Sequence, residues 1–94
     1  MRRIAKVDGN HKEIVDGLRR YGASVLSVAV LKNCFDILVG YKGVNYIIEI
    51  KDGNKSKSQT KLTDGEKDFK NTWKGGEYFI AYSLNQAIEI IENN

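Results

Sequence analysis

The sequence has one cysteine, Cys34, among 94 residues. That excludes an intramolecular disulfide framework and a cysteine-based zinc site. Cys34 reads as a reduced, buried small side chain. A catalytic thiol would need a base, and nothing links it to His11, the sole histidine. No apolar run approaches the roughly 18 residues that a membrane-spanning helix requires. Arg2-Arg3 is not followed by the apolar core of a signal peptide. There is no internal repeat, low-complexity tract or linker, and nothing asks for a small organic cofactor. The expectation is one intracellular, soluble domain over residues 1–94 with a modest core. A formal charge of +3 makes it mildly basic, by itself a weak pointer to nucleic acid.

What is present centres on the stretch from Cys34 to Asp52. Two β-rich runs, Phe35 to Tyr41 and Val44 to Lys51, flank Lys42-Gly43, which suits a tight hairpin turn. If Tyr41 faces Val44, then Val39 faces Tyr46, Ile37 faces Ile48 and Phe35 faces Ile50. On the other face Leu38 meets Ile47, and Asp36 meets Glu49. Directly opposed side chains have Cβ atoms about 4.5–5.5 Å apart, so two opposed carboxylates repel. A divalent cation between them reverses the sign of the interaction. Lys51, two residues past Glu49, leaves the strand on the same face. A bulge would shift the pairing without separating these groups far.

Two acids and an amine at one end of one face suit phosphodiester hydrolysis. Carboxylates hold magnesium or manganese, which polarises the phosphate and acidifies a bound water. The amine orients that water or offsets transition-state charge. The bland alternative is a hairpin end carrying ordinary surface charges.

The rest of the chain frames this hairpin. Asp8 or Asn10 caps a helix that runs to about Tyr21 and stops at Gly22. Ile14, Val15, Leu18 and Tyr21 share its apolar stripe, with His11 near the centre and Glu13 at the edge. Ala23 to Leu31 reads as a strand and Lys32-Asn33 as a turn. Gly53 to Lys61 is a polar loop with Lys55, Lys57 and Lys61, placed beside the acids and suited to phosphate contacts. Thr63 to Glu66 forms a capping box. It opens a helix to about Lys74 with Phe69 and Trp73 inward, read as core rather than as base-stacking groups. Tyr78 to Tyr82 is a strand. Ser83 to Gln86 is a second capping box, opening a last helix with Leu84, Ala87, Ile88 and Ile91 inward. The order is αβββαβα, an α/β fold with a mixed sheet flanked by helices and a last strand free to pair in parallel.

These residues resemble the PD-(D/E)xK nuclease superfamily, and within it the VRR-NUC (virus-type replication-repair nuclease) family, especially its small stand-alone phage members. The matching segments are Asp8 to His11, Ile14-Val15, Leu18, Gly22-Ala23, Asp36 to Gly40, Gly43, Ile48 to Gly53, Leu62-Thr63, Trp73 and Ser83 to Ile91. They cover nearly the whole chain. The resemblance implies a small restriction-endonuclease-like core and a magnesium- or manganese-dependent DNase. It makes Asp36 and Glu49 metal ligands, with the backbone carbonyl of Ile50 as a further ligand, and Lys51 the catalytic lysine. Asn10, in the first matching segment, joins Lys55, Lys57 and Lys61 as a DNA contact.

The sequence departs from the family pattern at three places. Phe35 stands where the motif name has proline. His11 stands where related nucleases often carry a glutamate, so it either approaches the metal or phosphate or simply packs; Glu13 is the fallback ligand. Glu66 stands where glutamine is common, and it either adds a carboxylate or only caps its helix. The expected function is structure-selective endonucleolytic cutting of branched, flapped or nicked DNA in phage replication or repair, within an infected bacterial cytoplasm. Nothing in the chain reads base sequence. The alternative is a catalytically silent nucleic-acid-binding module of the same fold. A homodimer would present two sites to two strands.

Overall fold

The computed structural model describes residues 9–53 and 61–93. Lys42 and Gly43 both take positive φ, 50° and 81°, the backbone of a tight two-residue hairpin loop. The strands they join are β2 (Ile37–Tyr41) and β3 (Val44–Ile50). Their antiparallel register pairs Tyr41 with Val44, Val39 with Tyr46, Leu38 with Ile47 and Ile37 with Ile48, as the sequence implies. Strand β1 (Ser24–Ser27) adds antiparallel to β2. Strand β4 (Tyr78–Ala81) adds parallel to β3, giving a mixed four-stranded sheet in the order β1-β2-β3-β4. Among the described residues three helices complete the α/β fold: α1 (His11–Tyr21), α2 (Asp64–Thr72) and α3 (Leu84–Glu92). Their elements follow the expected order αβββαβα.

One face of the sheet carries the core. Strand alternation turns Ile37, Val39, Tyr46, Ile48 and Ile50 to that side. There they meet Ile14, Val15 and Leu18 of α1 and Ala87 and Ile91 of α3. The two helices touch where Gly17 leaves no room for a side chain: a Cβ there would sit 2.4 Å from the Leu84 side chain. Gly22 ends α1 with φ 115°, a left-handed cap that glycine adopts without steric cost. Among the described residues no helix is long and apolar enough to cross a membrane.

The second face is covered less completely, by α2. Phe69 packs at a tilt against Phe35 and Tyr78, with ring centroids 5.8 and 6.0 Å apart. The expectation that Phe69 and Trp73 are both core is corrected here. Phe69 is half-buried, but Trp73 is 45% exposed. The helix stops at Thr72, and Trp73 takes extended backbone as the C-cap. Its ring stacks on Phe69 at 5.1 Å and does not enter the sheet.

Three other expectations are also revised. The first strand ends at Ser27, not Leu31, because the Leu31 N–H turns back to the Val28 carbonyl and reverses the chain. Cys34 is half-buried, not buried, and is a free thiol. Ser83 caps α3 through the Gln86 N–H, but the Gln86 side chain accepts from the Tyr82 N–H instead of closing the box on Ser83.

Candidate active site

β3 is held on both sides, so alternation decides what its last residues meet. Ile48 and Ile50 enter the core, while Glu49 and Lys51 emerge on the face beneath α2. Burying charge is costly unless it is paired, and these two are the buried charged residues among those described, 3% and 7% exposed. The Lys51 Nζ lies 3.4 Å from Glu49 and 3.2 Å from Glu66.

Glu66 reaches the pair because its helix start is fixed. Thr63 accepts from the Glu66 N–H, and the Glu66 carboxylate accepts from the Thr63 N–H at 2.9 Å, closing the expected capping box. The oxygen that caps the helix is the one that accepts from Lys51. Capping and the extra carboxylate, alternatives in the sequence, are therefore two roles of one atom.

The protonation pattern follows from this packing. Burial, the hydrogen bond to Glu66 and the negative charges of Asp36 and Glu66 together push the Glu49 carboxyl up to about 9, against the pull of Lys51. Burial also acts to raise Glu66, but its hydrogen bonds to Glu49, the Thr63 N–H and Lys51 outweigh that and hold it below its ordinary value. Of the two acids, Glu49 is thus the one that holds a proton more readily. Burial disfavours charged Lys51, but Glu66 and then Glu49 more than offset this and raise it.

Asp36 arrives by a different route from the one its spacing suggests. The ladder ends at the Ile37–Ile48 pair, and the Asp36 N–H donates to the Ile48 carbonyl. Asp36 and Ile37 therefore share one partner, the mark of a bulge. Direct opposition of Asp36 to Glu49, and of Phe35 to Ile50, is replaced by a diagonal arrangement. The Asp36 carboxylate accepts the Ile50 N–H at 2.7 Å, and Phe35 turns to Phe69. Asp36 remains near enough for its charge to raise Glu49.

The other expected residues separate into those that join this cluster and those that do not. Asn10 stands at the start of α1 without a side-chain cap bond. Its amide donates to the carbonyls of Lys51 and Tyr82 instead, tying α1 to the ends of β3 and β4. His11 shares a hydrogen bond with the Ser27 hydroxyl at 3.1 Å and does not contact the acids. Its position on the core-facing stripe of α1 explains this, since the acids lie on the opposite face of the sheet. Glu13 is exposed on α1, and Lys61 is exposed before α2. Lys55 and Lys57 lie outside the described residues.

Tyr78 is the participant that sequence reasoning missed. Its hydroxyl donates to the Cys34 carbonyl at 2.7 Å. Its ring packs against Phe69, and burial, then the charges of Glu49, Glu66 and Asp36, raise its phenol. The available signal was its place at the start of a strand expected to pair beside Glu49.

The donors here are oxygens, which suits magnesium or manganese. Among the described residues no group of three or more His, Cys, Asp or Glu side chains is arranged to hold a metal ion. No protein-family model matches the chain, and comparison with curated proteins and with solved structures finds no match either.

Proposed function

We propose that this chain is a divalent-metal-dependent deoxyribonuclease of the PD-(D/E)xK kind, built on a small restriction-endonuclease-like core. The observation that carries the reading is the buried Glu49–Lys51–Glu66 cluster with Asp36 beside it. A buried ionic cluster is a poor means of stabilising a small domain. Perturbed acids next to an amine are what catalysis requires.

In this reading Asp36, Glu49 as its carboxylate, and the carbonyl of Ile50 would hold magnesium or manganese, and the bound cation would supply polarisation of the phosphate and a water of lowered pKa. Lys51, kept charged by two carboxylates, meets the negative charge that grows on the phosphate. Glu66 positions Lys51, and Asn10 fixes the backbone that carries it. Lys61, with Lys55 and Lys57, supplies contacts to neighbouring phosphates, which position DNA without reading its bases. The substrates that fit are branched, flapped or nicked DNA, with phage replication or repair as the setting and a homodimer as the form that presents two sites.

The test is a cleavage panel on branched, flapped and single-stranded DNA with magnesium, manganese and calcium in parallel. Cutting with magnesium or manganese supports the proposal; no cutting of any substrate by folded protein defeats it. A second reading, a binding module that does not cut, draws on one observation: Lys51 is engaged by a carboxylate on each side. That module binds the same DNA and leaves it intact with every cation.

A further inference from the structure

The face of the sheet that carries Glu49 continues past the acids into an open groove of about 360 Å³. Leu38 and Ile47 form its floor, Phe35 and Trp73 its aromatic walls, and Asn45 and Glu77 its polar rim. Phe35 precedes Asp36 in the chain, so the groove begins where the candidate active site ends. Glu66 lies in the first turn of α2 and Trp73 just past its last, so the helix runs from the acids to the groove.

Lysines follow the residues that point toward the sheet from α2, Glu66 by Lys67 and Phe69 by Lys70, and Lys74 follows Trp73 just past the helix end. All three lysines are exposed. At 100° per residue Lys70 borders that stripe, Lys67 and Asp68 lie further round on opposite sides, and Asp64 is at the back of the helix. Exposed aromatic rings with cations near them are how proteins hold single-stranded nucleic acid: bases stack on the rings and phosphates meet the lysines. Paired bases are already stacked on both sides and offer no free face. A second copy of this chain is a poorer occupant, because it would bring the same lysines against these.

We propose that the groove beside Trp73 receives an unpaired nucleobase of the strand whose phosphate lies at Lys51, with Lys67, Lys70 and Lys74 on the adjoining phosphates. The substrate class is then DNA with a single-stranded segment next to the cut. The placement of that strand rests on the nuclease reading; the groove's affinity for an unpaired base does not.

Trp73 is the only tryptophan, so its fluorescence reports this groove alone. The experiment titrates the full chain, in chelator, with oligothymidine and with a duplex of equal length. The expected result is saturable quenching by the single strand and little by the duplex. Trp73→Ala weakens single-strand binding about ten-fold, followed by anisotropy of a labelled strand, and Trp73→Phe retains most of it. Lys67→Gln with Lys70→Gln, which leaves the aromatics in place, lowers the salt dependence of binding by about 1.4 in the log–log slope. Single-strand binding that leaves the emission unchanged overturns the proposal. So does emission that varies with protein concentration as the mass doubles without DNA, since a second copy then fills the groove. Quenching without metal-dependent cleavage removes the nuclease and keeps the groove; cleavage of flapped DNA without quenching does the reverse.

Discussion

The Lys51 ammonium, at the end of β3, lies 3.2 Å from the Glu66 carboxylate in the first turn of α2. One carboxylate oxygen both accepts from that ammonium and closes the helix cap. The helix that covers the second face is thereby tied to the strand that carries the candidate site. A change at Glu66 must register in stability and in function together.

Glu66→Ala removes the carboxylate half of the capping box, while Thr63 still caps the helix through the residue-66 N–H, and it leaves Lys51 with Glu49 as its partner. The lost bond from the Thr63 N–H costs about 0.5–1.5 kcal/mol, and the weakened pairing of a buried ammonium adds to it. Glu66→Gln keeps an acceptor for the Thr63 N–H and for Lys51, so it costs less. Urea unfolding of both variants checks the order. Equal losses would show that the Lys51 contact contributes nothing.

Asp36 separates fold from chemistry. Asp36→Ala leaves the Ile50 N–H without its acceptor, which in a part-buried setting costs about 1–3 kcal/mol. Asp36→Asn keeps an oxygen for that bond and removes the negative charge. The expected outcome is near-native unfolding for the asparagine variant, with DNA binding retained and cleavage lost.

Glu49 makes the stability of the metal-free protein depend on pH. Its folded value, about 9, is above its ordinary 4.5. The folded state therefore binds the proton more tightly, and the stability this contributes is complete below about 4.5 and is lost as pH rises through about 9. Glu49→Gln is neutral throughout and escapes the loss. Near pH 8.5 its Tm should exceed the native protein's by about 4 °C or more, the shift that roughly 1 kcal/mol produces in a domain of this size. In acid the two converge. A native Tm that climbs between pH 5 and 9 would contradict this assignment.

Ile48 tests the opposite face. It is fully buried among α1, α3 and the sheet. Ile48→Ala should cost about 2–5 kcal/mol, a large part of the stability of a small domain. Leu26→Ala, at a residue 59% exposed, should change little. Chemical denaturation of the pair measures the contrast.

The hairpin was legible in the sequence because two residues between alternating runs fix both turn and register, and Lys42 and Gly43 take the positive φ that such a turn needs. The Thr63–Glu66 box was legible for a similar reason, since its bonds are local. Asp36 was legible as a participant but not in its geometry: the bulge is set by hydrogen bonds on both edges of β2, from Val28 to Asp36 and from Asp36 to Ile48. Trp73 was misread because helical periodicity assumes that the helix continues, and it stops one residue earlier. His11 stayed ambiguous because its stripe does not state which face of the sheet it will meet. The roles of Asn10 and Tyr78 lie in contacts across 41 and 44 positions of chain, which no local pattern encodes.

The measurement that bears most directly on the central claim is cleavage of one flapped DNA by the native chain and by Asp36→Asn, each with magnesium and with chelator. The native chain should cut with magnesium and not with chelator, and the variant should not cut although it binds the DNA as tightly. Intact DNA in every lane, or equal cutting by both proteins, would contradict it.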